Sequence, residues 1–175
     1  MTRPIYFQHI VNALEELFPP SEGYIYKRGW TVNPLTQAEN LTLNEVLELS
    51  TPGSTTFLVV VGGHERPPEK NAFLWRLNHL NMLVPHSAGR YLDFEGLVIV
   101  GKKCRFYSLN CEQRRRLLRK DPRALHARNR RNEYRIVGEM SAIHRILSEF
   151  KVLCQKNSFW VAPPGASPAS EPELQ

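Results

Sequence analysis

Residues 55–61 read Thr-Thr-Phe-Leu-Val-Val-Val and are followed at once by Gly62-Gly63. A strand with one wet face alternates apolar and polar residues, whereas this run does not alternate after Thr56. Its three valines favour extended backbone, and the glycine pair ends it after a length that suits a strand better than a helix. A continuous apolar strand is buried on both faces, so it belongs at the centre of a covered sheet.

Working outward, a helix is expected after Pro67-Pro68, running to about Met82 with Phe73, Leu77 and Leu80 inward. Leu92–Val100 and Arg105–Leu109 follow as two strands of a hairpin turning at Gly101-Lys102-Lys103. Upstream, Phe7, Ile10, Val11, Leu14, Leu17 and Phe18 mark one face of a helix over about 4–18, stopped by Pro19-Pro20. The aromatic and β-branched stretch 23–32 suits a strand. Thr42 and Glu45 fit a capping box for a short helix at 43–50, and 51–54 form a turn. Past Asn110 the pattern becomes helical, with an arginine-rich helix over Glu112–Lys120, a break at Asp121-Pro122, and a second helix over about 123–156. In that helix Ile136, Met140, Ile143, Leu147, Phe150 and Cys154 form one stripe, for the core or a partner helix.

The expected fold is α/β (or α+β): a small mixed sheet with a central strand at 55–61 and a hairpin at 92–109. An N-terminal helix and C-terminal arginine-rich helices pack on it. Residues 1–160 make one domain with a basic helical part at about 111–156, and the Pro/Ala/Ser-rich residues 161–175 form a disordered tail.

The charge is unevenly placed. The chain of 175 residues has a formal net charge of +6, yet residues 1–100 carry seven Lys/Arg against ten Asp/Glu. Residues 102–135 carry thirteen basic against three acidic residues. Such a local excess is the electrostatic footprint expected of a nucleic-acid-binding surface. The candidate contacts are Lys102, Lys103, Arg105, Arg114, Arg115, Arg116, Arg119, Lys120, Arg123, Arg128, Asn129, Arg130, Arg131, Asn132 and Arg135. Guanidinium forks suit phosphate, Asn can bond base edges, and Tyr107 or Tyr134 could stack on bases. The plainer alternative is a solvated helix face, or pairing with the acidic half of the chain.

Other chemistry is less well supplied. Glu15, Glu16, Asp93 and Glu95, with Lys102 and Lys103 further on, give a helix followed by strands bearing acidic residues. This resembles the restriction-endonuclease-like nuclease core, which implies a divalent cation and Asp93, Glu95 and Lys102 as the catalytic set. The Glu-x-Lys step of that family is missing, because Gly96 and Leu97 follow Glu95. His64, His79, His86, His126 and His144 have no metal-ligand spacing with Cys104, Cys111 and Cys154, and no catalytic triad can be placed. VVVGGHERPP has neither a Walker pattern nor GxGxxG, so no cofactor is expected, and Gly62-Gly63 reads as a turn needing glycine backbone angles. No apolar run approaches the roughly 18 residues of a membrane span, and an odd cysteine count favours a reducing compartment. The expectation is thus a non-enzymatic, cytoplasmic or nuclear protein binding RNA in preference to DNA, within a ribonucleoprotein or nucleoprotein assembly with other protein subunits. A metal-dependent nuclease and an adaptor for an acidic protein are the alternatives.

Overall fold

The valine run lies at the centre of a seven-stranded mixed sheet. The computed structural model describes residues 5–32, 43–53, 55–63, 72–85, 93–109, 118–126 and 131–156. Helix α1 (Ile5–Leu17) is followed by β1 (Ile25–Val32), β2 (Leu43–Ser50) and β3 (Thr56–Gly63), an antiparallel meander. Helix α2 (Ala72–Leu83) then crosses over to β4 (Phe94–Val100), which runs parallel to β3. A parallel pair needs such a crossover, because no tight turn can return the chain in the same direction. β5 (Lys103–Leu109) pairs antiparallel with β4 through a tight turn, where Gly101 takes a φ of 56°. Two short strands, β6 (Arg119–Lys120) and β7 (Glu133–Arg135), lie end to end along the outer edge of β5. Helix α3 (Met140–Gln155) closes the described chain.

The two faces of β3 are both covered, as its composition requires. Leu58 and Val60 join α1 and α3 in one core, with Phe7, Ile10, Leu14, Ile143, Leu147 and Phe150. Val59 and Val61 join Leu80 of α2 on the other face, with Phe94 and Val98. The stripe on α3 is therefore spent within this chain: Ile143, Leu147, Phe150 and Cys154 are fully buried. That removes the support it lent to a partner-helix seam. Gly62 and Gly63 are strand residues, and neither has a positive φ. The reason for glycine at 62 is packing, since a Cβ there would lie 2.7 Å from the Phe7 ring of α1.

Three expected helices are corrected. Residues 43–50 form β2, hydrogen-bonded to β1 on one side and β3 on the other. The apolar Val46, Leu47 and Leu49 then bury into both cores, a gain no short helix beside this meander could match. The Glu112–Lys120 helix is replaced at its end by extended β6, and residues 112–117 lie outside the described residues. The long helix over 123–156 begins only at Met140. Before it come a single 3₁₀ turn at Pro122–Ala124, then β7, then a turn in which Gly138 has a φ of 110°. Tyr134 packs edge-on against Phe106 and donates its hydroxyl to the Ala124 carbonyl, which holds this segment to the sheet. The tail 161–175 also lies outside the described residues.

Candidate nucleic-acid interface

Strand register decides which cations share a face. Side chains directly opposite each other in an antiparallel pair point the same way, and the direction alternates along each strand. Lys103, Arg105 and Tyr107 of β5 therefore face the α2 side. Their partners Arg135, Glu133 and Lys120 stand beside them in that order. Four cations, Lys103, Arg105, Lys120 and Arg135, thus project from one side of the sheet's outer strands. Glu133 is the carboxylate among them.

Glu133 ties the cluster together. Its Oε1 accepts from Arg105 Nε at 3.2 Å and Nη2 at 3.0 Å, and its Oε2 lies 3.4 Å from Lys103 Nζ. Burial alone would raise its pKa, but the bond from Arg105 and the nearby Lys103 hold it below the ordinary glutamate value. The Arg105 guanidinium also lies 3.9 Å from the centroid of the Phe73 ring on α2. Lys103, Lys120 and Arg135 remain exposed, as do Lys102 in the turn and Arg131 just before β7. Arg119 is exposed too, but it stands opposite Ser108 and so on the other face.

Several expected contacts are committed elsewhere. Arg123 donates from Nε to Asp121 at 2.9 Å and from Nη2 to Glu95 at 2.9 Å, with its guanidinium over Phe150. Asn132 is buried and donates its side-chain amide to the Phe106 carbonyl, so it is turned away from any ligand. Tyr107 and Tyr134 are buried and offer no open ring for stacking. Arg114, Arg115, Arg116, Arg128, Asn129 and Arg130 lie outside the described residues. Sequence reasoning did not foresee the engagement of Asn132 and Arg123, because their partners Phe106 and Glu95 are distant along the chain.

The nuclease set is not assembled. Glu95 is fully buried among the core side chains of the α1–α3 face, bonded to Arg123, and Asp93 precedes β4. Lys102 lies in the turn at the opposite end of β4, roughly 20 Å from Glu95 at the rise of a strand. Sequence reasoning missed two buried clusters that involve acidic residues. One is Glu95 with Asp121 and Arg123. The other is Glu45 on β2, whose Oε1 accepts from Arg28 at 2.6 Å beside Phe7. The place of Glu95 at the head of the nearly continuous apolar run Phe94–Val100, and of Glu45 in alternation with Leu43, Leu47 and Leu49, is the signal that could have found them. Among the described residues no group of three His, Cys, Asp or Glu is arranged to hold a metal ion, and no helix is long and apolar enough to cross a membrane. His79 is buried on α2 with its pKa lowered by burial, and His126 stacks on Tyr134 at 4.8 Å. His64 and His86 lie outside the described residues. No protein-family model, curated protein or solved structure matches this chain.

Proposed function

We propose that this chain is a non-enzymatic nucleic-acid-binding protein, a subunit of a ribonucleoprotein or nucleoprotein assembly that grips phosphates with the basic face of its outer strands. One observation carries the reading: register gathers Lys103, Arg105, Lys120 and Arg135 on a single face around one carboxylate. Like charges set opposite each other, as Lys103 and Arg135 are, destabilise a strand pair, and Glu133, the carboxylate among the four cations, is shared between Arg105 and Lys103 and offsets only part of that charge. Edge lysines also discourage strand-to-strand aggregation, but a single exposed cation would serve that end. Bound phosphates would relieve the repulsion and release counterions. RNA is preferred to DNA on grounds of shape. The cations stand on the outer strands of a sheet, and such a basic track suits a single strand, the form in which RNA is most often read.

The test is fluorescence-polarisation binding of the full chain to single-stranded RNA, duplex RNA and duplex DNA over a range of salt. Single-stranded RNA is expected to bind tightest, with a steep salt slope. The double variant Lys120→Ala, Arg135→Ala should flatten that slope by about 1.4, from roughly 0.7 for each phosphate that is no longer neutralised. An unchanged slope would remove this face from the binding role. Absence of binding to all three ligands would transfer the cations to an acidic protein partner.

A further inference from the structure

The arginine at the centre of the basic face is held differently from its neighbours. Lys120 and Arg135 are exposed cations and Lys103 is an exposed cation 3.4 Å from Glu133 Oε2, whereas Arg105 has turned two of its donors to the other oxygen, Oε1. Its inner face lies against Phe73 at 3.9 Å, within stacking contact. A guanidinium so pinned has little freedom to pivot toward a phosphate, and Glu133 offsets its charge. With 35% of the side chain exposed, it still presents surface to solvent. A planar cation backed by an aromatic ring and fixed by a carboxylate is a preformed surface for stacking a flat group, because the ordering cost is already met by the fold.

Position supports the same conclusion. On this face Lys103, Arg105 and Tyr107 follow at two-residue steps of about 7 Å, with Arg135 beside the first and Lys120 beside the last. The fixed guanidinium thus lies midway between two exposed positive positions. A chain that alternates charged linkers with flat, neutral rings fits that order, and a single-stranded nucleic acid is such a chain.

We propose that the guanidinium of Arg105 is a stacking platform for an unpaired base of a single strand whose phosphates lie against Lys103, Arg135 and Lys120. The inference rests on the nucleic-acid reading above and adds that bases are contacted as well as the backbone. A tenfold gain in affinity corresponds to about 1.4 kcal/mol, within the range of about 1–3 kcal/mol for stacking one base. The test compares oligoadenylate with an abasic sugar-phosphate chain of equal length and charge, each titrated against the full native chain. Oligoadenylate is expected to bind about tenfold tighter, and 2-aminopurine placed in it should lose fluorescence on binding. In Arg105→Lys, which keeps the charge without the planar group, the ratio between the two ligands should fall toward one. Equal affinity of the native chain for both ligands, each with a steep salt slope, would overturn the platform and leave phosphate binding intact. Binding of neither ligand would overturn both.

Discussion

Glu95 stands on β4 with no exposure, its Oε2 bonded to Arg123 and Asp121 close by. Burial, the charge of Asp121 and a bond shared with Asp121 push its carboxyl well above the ordinary range, against the pull of Arg123. A carboxyl raised on folding favours the native state below its unfolded pKa, and that benefit is lost as pH rises through the folded value. Native stability should therefore decline as pH rises above the ordinary carboxylate range. Glu95→Gln, which keeps the shape of the protonated acid, should flatten the decline. Urea midpoints of both proteins between about pH 5 and 9 would test this, and parallel curves would refute it. Glu133 acts in the opposite sense: its lowered pKa adds stability above the unfolded value, and this is lost as pH falls through the folded one. The acidic character of both residues was plain from the sequence. Their partners Arg123 and Arg105 are 28 residues away in each case, so only folding pairs them.

At the scale of elements, β3 and β4 each seat a helix on a glycine. A Cβ at Gly96 would lie 2.5 Å from Leu80 of α2, as one at Gly62 would crowd Phe7 of α1. Both contacts are with fully buried side chains that have little room to yield. Gly96→Ala is expected to cost about 1–3 kcal/mol by overpacking, measurable as a lower denaturation midpoint. A neutral result would mean that α2 shifts freely on the sheet. The helices α1, α2 and most of α3 were legible because each repeats apolar residues on one face or follows a clear stop signal. β2 was not, since Thr42 and Glu45 imitate a helix cap while the cause of its extended backbone lies in the strands on either side. β6 and β7, of two and three residues, are too short for any periodicity, and their pairing with β5 defines them.

For the whole molecule, strand order predicts a gradient of local stability. β3 and β4 are flanked on both edges and buried on both faces, whereas β6 and β7 form the outer edge beside the basic face. Native-state hydrogen exchange should be slowest in β3 and β4 and fast in β6 and β7. Exchange in β3 as fast as in β6 would contradict the strand order. The sequence by itself determined the mixed α/β character, the central place of the valine run, the helix α2 that follows it and the concentration of positive charge after residue 101. These depend on composition and on contacts near in sequence, which leave a periodic or local trace. Tertiary structure alone decided that 43–50 is a strand, that Arg105, Arg123 and Asn132 are engaged by other residues, and that Lys103, Lys120 and Arg135 share a face. Those outcomes follow from strand pairing and side-chain contacts between separate segments, and register is a property of the paired strands that neither sequence carries alone.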